Sequence, residues 1–585
     1  MGQGCVLPGA LSPEALWALV REGRSALAPA GAARWRLDPH VDREQLAQEI
    51  ATEVGGHVAG FDAAFDPRGF LIPAARLHGL DPVFLWTLHA AREALRSAGL
   101  DVGERVARGT LVLGNLSYPT SALIDLAMAV WADPATPPAT DPRNRFMSGL
   151  PAHLVAQALG FGAGAFALDA ACASSLYAIK LACQRLHDGV ADLALAGGVN
   201  HADDLFLHGG FSALQALSAT GQSRPFHRDA DGLVPAQGAA MLLLERLDDA
   251  LAHGRTVLGV IRGVGLSNDG RSRGLMVPSE EGQVRALRAA YAESGLSPAD
   301  ISLVECHATG TMVGDGAEVR SMRQVFTGAR GLPLGSLKSN LGHLITASGA
   351  AAVIKVLGAL RDQVRPPTRH AEAPLGELDD GMFRLLPEEE PWPAPPDGAP
   401  RRAAISNFGF GGNNAHLILE EWTGRLPPGP SAASLDAGPP PPAIAIVAQA
   451  VRTGAGAGAT FFAQAVLEAP PGPHDVGAQV PARHVELEGA GSRFPPNDLR
   501  AALAQQTMLL SLAQELSAVL EKLPRERTTL LVGMQCDAEV ARHALRWRAA
   551  PHWLGVLPPA IASAGLTAAS EVGCMPNIVA NRQSH

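Results

Sequence analysis

At 585 residues, with 47% apolar and 18% charged residues, the chain is long enough for more than one domain and suits large buried cores. A formal net charge of −10 and a pI near 6.0 argue against nucleic acid as a partner. The 6 cysteines are widely spaced, which fits a reducing cytosol better than a disulfide framework, and the sequence holds neither a signal peptide nor an apolar run long enough to span a bilayer.

The opening Met1-Gly2-Gln3-Gly4-Cys5-Val6 lacks the Ser or Thr of a myristoylation signal. It reads as the end of a first strand and its turn, in a chain that starts a few residues late. Further on, Ala165–Leu168 reads as a short buried strand, followed by Asp169-Ala170-Ala171-Cys172-Ala173-Ser174-Ser175-Leu176. After that block Leu176, Ile179, Leu181 and Leu186 recur at helical spacing, with Gly189 placed as a C-cap. Cys172 therefore sits at or near a helix N-terminus, where unpaired N–H groups and the positive dipole end favour a thiolate and can hold an oxyanion. The small residues Ala173, Ser174 and Ser175 leave room for a long substrate to approach the sulfur. A buried, inert cysteine is the plainer reading of the residue taken alone.

Two histidines downstream shift that balance. Ile301–Cys306 is an apolar strand running into His307-Ala308-Thr309-Gly310-Thr311. Leu332–Leu337 is another, ending in Lys338-Ser339-Asn340-Leu341-Gly342-His343 before an alanine-rich helix. Arg402–Ser406 ends in Asn407-Phe408-Gly409-Phe410-Gly411-Gly412-Asn413-Asn414. With the strand before Cys172, four strands end in polar or glycine-rich loops, and the carboxyl ends of strands are where sites assemble in open α/β sheets.

Taken together, these blocks resemble the β-ketoacyl synthases: Asp-x-Ala-Cys-x-Ser-Ser, His-x-Thr-Gly-Thr-x-x-Gly-Asp, Lys-Ser-Asn-x-Gly-His and Gly-Phe-Gly-Gly-x-Asn-Ala-His, in the family's order. The resemblance covers about residues 3 to 421 and includes Gly221–Phe226 and Asp229–Gly232. Details such as Gly114–Pro119, Glu305–Thr309 and Gly342–Thr346 look most like the ketosynthases of polyunsaturated fatty acid synthases, and heterocyst-type glycolipid synthases are similar. The resemblance implies an α/β thiolase fold, with duplicated βαβαβ halves in a five-layered α-β-α-β-α sandwich, as a homodimer or pseudo-dimer. It implies a decarboxylative Claisen condensation in fatty acid or polyketide-like chain elongation, on substrates carried by the phosphopantetheine of an acyl carrier protein, with no bound cofactor and no metal. The acidic net charge offers such a carrier no global attraction, so any basic docking patch is local.

By the same resemblance, Cys172 is the nucleophile, His307 and His343 donate to the malonyl thioester carbonyl, and the N–H groups of Cys172 and Phe410 hold the oxyanion of acyl transfer. Lys338, paired with Glu318, orients the histidines. Thr309 and Thr311 hydrogen-bond the pantetheine arm, and Phe410 gates the acyl pocket. Plainer readings are a solvated Lys338, loop-capping threonines and a core Phe410. Three departures stand out. Ala308 replaces a usual glycine, which a strained backbone would not tolerate. Asn413 replaces a usual threonine, and Pro235-Ala236-Gln237-Gly238 lacks the common glutamate with any salt bridge it makes.

Other motifs fail on inspection. Gly160–Gly164 and Gly454–Gly458 are not the spaced Gly-x-Gly-x-x-Gly of dinucleotide sites, and no Gly-x-x-x-x-Gly-Lys-Ser/Thr loop occurs. Asp229–Gly232 has too few ligands for calcium, and no Cys-x-x-Cys pair stands for zinc.

Trp422–Pro442 is rich in Pro, Gly, Ser and Ala and reads as a linker between a ketosynthase domain over 1–421 and a second unit over 443–585. That tail repeats the opening of the first domain. Ile444–Val447 starts a fresh strand, Leu111–Gly114 returns as Leu530–Gly533, and Leu150–Ala156 returns more loosely as Met575–Ala580. At that spacing a counterpart of Cys172 falls beyond His585. The tail therefore reads as the truncated first third of a second, chain-length-factor-like domain, poorly ordered or dependent on another chain because it cannot cover its own sheet. Two alternative functions stand beside condensation. A thiolase-like enzyme needs a second cysteine near the C-terminal glycine-rich loop, where Phe410 stands. A non-catalytic pocket, or a decarboxylase-only fragment, has lost part of the Cys-His-His set, which is intact here, or its partner half.

Overall fold

The structure is a computed structural model. It describes residues 2–35, 50–131 except 101 and 104, 140–425 except 271–273, and in the tail 443–453, 456–468, 485–487, 494–524, 527–536, 540–541 and 567–584. The chain forms two units, Met1–Gly424 with Gln535–Thr567, and Arg425–Met534 with Ala568–His585.

In the first unit, strands β1 (Gly2–Val6), β2 (Gly109–Asn115), β3 (Ala165–Leu168), β4 (Leu193–Asn200) and β5 (Gly238–Leu244) form one sheet in the order β1-β5-β4-β2-β3. The second sheet holds β6 (Val260–Asn268), β7 (Leu303–Glu305), β8 (Leu332–Gly335), β9 (Phe383–Leu385), β10 (Arg402–Phe408) and β11 (Asn413–Glu420), ordered β9-β8-β7-β10-β11-β6. Apart from the added β9, the path is the same in both sheets. The inner pairs β2–β3, β2–β4, β7–β8 and β7–β10 are parallel, and the pairs leading to β1 and β6 are antiparallel.

Five helices place the layers: α1 (Pro82–Ser97), α2 (Ser174–His187), α3 (Glu280–Ser294), α4 (Met312–Arg323) and α5 (Ser348–Asp362). Local sequence sets their starts. Asp81 caps α1 through Val83 N–H with Pro82 in the first turn, and Ser279 caps α3 ahead of Glu280 and Glu281. Helix α1 covers β1 and β5, α3 covers β6 and β11, and α4 packs beside α3. Between the sheets α2 and α5 meet, and one apolar core runs through Leu176, Ile179, Leu186, Val353, Ile354 and Leu357. This is the five-layered α-β-α-β-α sandwich of the thiolase fold.

The duplication extends to the starts of the central helices. A single 3-10 turn precedes each, Ala171–Ala173 before α2 and Ile345–Ala347 before α5. Each turn opens on a non-glycine residue with positive φ, 51° at Ala171 and 49° at Ile345. Cys172 in one half thus corresponds to Thr346 in the other.

Several sequence expectations change. β3 is not buried: it pairs only with β2 among the described residues, and Phe166 on it is 37% exposed. In α2 Leu181 is only half-buried, the fully buried position beside it being Ala182. The strand ends before His307 and His343 come earlier than expected, at Glu305 and Gly335.

In the second unit no strand forms over Ile444–Val447; Ile444 and Ile446 are each 91% exposed. Leu530–Gly533, matching β2, is also unpaired, with Leu531 88% exposed. What does pack is helical. Gln506 on the helix Ala504–Glu515 donates to the Val572 and Gly573 carbonyls, both at 2.9 Å, and accepts from Arg582 Nε at 2.6 Å. Part of the tail thus packs on itself through helices. Most of the expected linker, residues 426–442, lies outside the described residues. No helix among the described residues is long and apolar enough to cross a membrane.

Gly198 on β4 lies against the turn that starts α5: a Cβ there would sit 2.3 Å from the Thr346 carbonyl oxygen. Because the obstacle is backbone, Gly198→Ala costs about 1–3 kcal/mol through overpacking. Differential scanning fluorimetry should show a lower midpoint for this variant and none of that loss for Gly274→Ala, where the nearest atom is 3.6 Å away.

Candidate active site

The position of Cys172 follows from a local hydrogen-bond set. Asp169 Oδ1 accepts the Ala171 N–H at 2.9 Å and Oδ2 accepts the Ser117 N–H at 3.1 Å. Ser174 Oγ donates to the Ala171 carbonyl at 2.6 Å and accepts from Ala170 N–H at 2.9 Å. These bonds hold Ala171 at positive φ and point Cys172 into the site just ahead of α2. From β10, Asn407 Nδ2 donates to the Cys172 carbonyl at 3.1 Å.

His343 Nε2 lies 3.0 Å from Cys172 Sγ. Its other ring nitrogen, Nδ1, is 3.1 Å from Ser348 Oγ, the first residue of α5. The His307 ring stands edge-on to His343, with centroids 5.4 Å apart, and edge-on to Phe408 at 5.8 Å. Donor atoms of Cys172, His307 and His343 all lie within 4.8 Å of one another. The fold thus gathers the three residues that the sequence singled out from three different strand ends. Ser348 was missed; its only signal was a place just before an alanine-rich helix.

The backbone around His307 is pinned by carboxylates from α4. Glu318 accepts the N–H groups of His307 at 2.8 Å and Ala308 at 2.7 Å. Asp315 accepts those of Thr309 at 2.9 Å, Gly310 at 3.2 Å and Phe226 at 2.8 Å. Glu318 thus spends both oxygens on backbone, and its link to the buried Lys338 is a charge interaction through space rather than the direct ion pair expected. Glu305 occupies a second such place, accepting Leu337 N–H at 2.6 Å and pairing with Lys355 Nζ at 2.5 Å. Thr309 and Thr311 bring their hydroxyls 3.0 Å apart at the start of α4.

Phe410 sits in the hairpin turn between β10 and β11, with its ring 6.2 Å from that of Phe211. Gly411 and Gly412 supply the positive φ of that turn, 87° and 95°. The departures settle individually. Ala308 is buried with an ordinary backbone, and the left-handed residue of its loop is Gly310 at φ 82°. Asn413 accepts from Asn268 Nδ2 at 3.1 Å. Gln237 is bonded to both Arg34 and Asp204, and Asp204 supplies the carboxylate for Arg34 at 2.6 Å.

Burial decides the protonation states. It pushes the Cys172 thiol up to about 12, against the pull of Lys338 and of the N–H groups of Phe410 and Cys172 itself. The thiolate expected from the helix N-terminus is therefore outweighed by desolvation, and the resting group is a thiol. Burial, and next the charge on Lys338, hold His307 and His343 well below the usual imidazole range, so both rings are neutral. A neutral His343 Nε2 beside a thiol is placed to accept its proton.

A thiol held that high never saturates as thiolate in ordinary buffers. Alkylation of Cys172 by iodoacetamide should therefore climb about tenfold per pH unit between about pH 6 and 9. Quenched peptide mass spectrometry reads this directly, and a plateau near neutrality would overturn the thiol assignment.

Comparison with known proteins agrees with this arrangement. Residues 1–250 match the β-ketoacyl synthase N-terminal domain and residues 258–372 its C-terminal domain. The chain is 36% identical over 435 residues to the pikromycin polyketide synthase component PikAIII of Streptomyces venezuelae, covering 72% of this chain and 27% of that one. It is also 36% identical over 426 residues to a mycocerosic acid synthase-like polyketide synthase of Mycolicibacterium smegmatis, covering 72% and 20%. It thus spans only about a quarter of the length of these relatives. Among solved structures it is similar to the PfaC keto synthase-chain length factor, with TM-score 0.82 and 28% identity over 100% of this chain and 68% of that one. It is also similar to the ketosynthase from module 6 of the bacillaene synthase of Bacillus subtilis 168, with TM-score 0.62 and 30% identity over 72% and 71%. Sequence, fold and site geometry agree, and the chain belongs to the β-ketoacyl synthase family.

Proposed function

We propose that the protein is a 3-oxoacyl-[acyl-carrier-protein] synthase, joining an acyl group held on Cys172 to a malonyl thioester with loss of CO2. The 3.0 Å approach of His343 Nε2 to Cys172 Sγ, with His307 alongside, carries this reading. In the first half-reaction Cys172 attacks the acyl thioester carbonyl. His343 takes the thiol proton as the new C–S bond forms and returns it to the departing pantetheine thiolate. The N–H groups of Phe410 and Cys172 hold the oxyanion, where losing one donor typically costs about a hundredfold or more in rate.

In the second half-reaction the malonyl C–C bond breaks, CO2 leaves, and the electron pair forms an enolate that attacks the acyl carbonyl and expels the Cys172 thiolate. His307 and His343 hold the thioester oxygen as negative charge develops on it. His343 must then offer a proton at Nε2, where earlier it accepted one. The Ser348 hydroxyl serves both tautomers, because it can accept from Nδ1–H or donate to bare Nδ1.

Lys338 sets the field around the rings, and Thr309 and Thr311 hold the phosphopantetheine arm of an acyl carrier protein. No bound cofactor or metal is assigned to the reaction. We place the enzyme in the cytoplasm, consistent with six free cysteines. We also infer that the second unit serves as a chain-length-factor-like partner; the likeness to the PfaC keto synthase-chain length factor over the whole chain supports this. A pathway making polyunsaturated fatty acids is the closest fit to the sequence details around Asn115, Cys306 and Ile345.

Intact-protein mass spectrometry after incubation with an acyl thioester should show one acyl adduct that Cys172→Ala abolishes, discharged as a 3-ketoacyl product by malonyl-carrier protein. Absence of an adduct on folded protein would overturn the proposal. Ser348→Ala, which removes one hydrogen bond worth about 1 kcal/mol, should slow adduct formation about fivefold in stopped-time assays.

A further inference from the structure

The residues that bring chemistry to this pocket are also a donor set for a borderline-soft metal ion. We propose that Cys172, His307 and His343 bind Zn2+, which takes the nucleophile out of acyl transfer while bound. Sequence spacing gave no hint of this, because no two of these residues are near neighbours in the chain; only the strand ends bring them together.

The geometry carries the case. A tetrahedral zinc with Zn–S of about 2.3 Å and Zn–N of about 2.0–2.1 Å sets neighbouring ligand atoms about 3.3–3.6 Å apart. Here the sulfur lies 3.0 Å from His343 Nε2, and the donor atoms of all three residues fall within 4.8 Å of one another. Small side-chain movements close that set around an ion.

The surroundings suit ligation. Ser348 Oγ, 3.1 Å from His343 Nδ1, fixes that ring so that Nε2 points at the sulfur, as an outer hydrogen bond does for metal-binding histidines. Lys338 works against a dication, while Asp169, Asp315 and Glu318 lie in the same surroundings. On binding, the Cys172 S–H bond breaks, its electron pair passes to zinc, and the proton leaves to buffer; nothing is oxidised or reduced. An acyl-Cys172 thioester has no proton to lose and its sulfur is a poor ligand, so acylated enzyme escapes the block.

Alkylation tests this without any acyl substrate, so its failure and failure of the condensation reading are distinguishable. The full-length chain is treated with iodoacetamide with and without zinc chloride, and Cys172 and Cys183 are followed as separate peptides. Zinc should slow alkylation of Cys172 at least about tenfold, leave the partly exposed Cys183 unchanged, and be reversed by a chelator. His307→Ala and His343→Ala should each lose the protection. Unprotected Cys172 in the native chain, or protection that survives in both variants, would overturn the proposal. Should either variant fail to fold, X-ray absorption at the zinc edge of the native protein decides: one sulfur and two imidazole nitrogens support the site, and any other donor set refutes it.

Discussion

Helices α2 and α5 share one apolar interface between the sheets, and their starting turns therefore emerge side by side. The contact is close: a Cβ on Gly349 would lie 2.6 Å from Leu176 Cγ, and Ala350 N–H reaches Ser175 Oγ at 3.1 Å. The same duplicated turn that aims Cys172 out of one half places Thr346 in the other, three residues beyond His343. The proximity of Cys172 to His343 is thus a by-product of packing. Interiors are close-packed and resist small displacements, so the 3.0 Å approach between Cys172 and His343 needs no mobile element to create it.

Polar burial beneath the site is the counterpart of that packing. Three carboxylates, those of Glu305, Asp315 and Glu318, lie buried around Lys338 and Lys355. Unpaired, each would be costly. Each instead receives backbone N–H groups from the loops carrying the histidines, and Glu305 also binds Lys355. Desolvation still pushes Asp315 up to about 6 and raises Glu318. The arrangement fixes loop shape first and charge second, which explains why Glu318 supports the site without forming an ion pair to Lys338.

Much of this was legible in the sequence because motif and strand end coincide. Apolar runs before Cys172, His307, His343 and Phe410 marked four strand ends, and all four lead into the same pocket. What stayed hidden depends on neighbours distant in the chain. Nothing in Ala165–Leu168 says that, among the described residues, β3 pairs on one side only. Nothing near Cys172 says that burial will outweigh the helix N-terminus, since the atoms that desolvate it come from several other elements. Ser348 looks unremarkable as text, and Gln237 stands out only as a missing glutamate, because their roles lie in contacts with His343 and with Arg34 and Asp204.

The tail shows the same dependence from the opposite side. Leu530–Gly533 repeats the apolar pattern of β2, and β2 is a buried strand because β3 and β4 flank it and α2 covers it. No described residue of the second unit takes those places, so an equivalent pattern pairs with nothing and Leu531 stays in solvent. Strand propensity is chiefly fitness for a pleated, half-buried surface, and without that surface Ile444–Val447 and Leu530–Gly533 do not form it. The helices Ala504–Glu515 and Ile578–Ser584 succeed where these segments fail because their backbone bonds are internal. Gln506 then ties the first of them to its neighbours through its side chain.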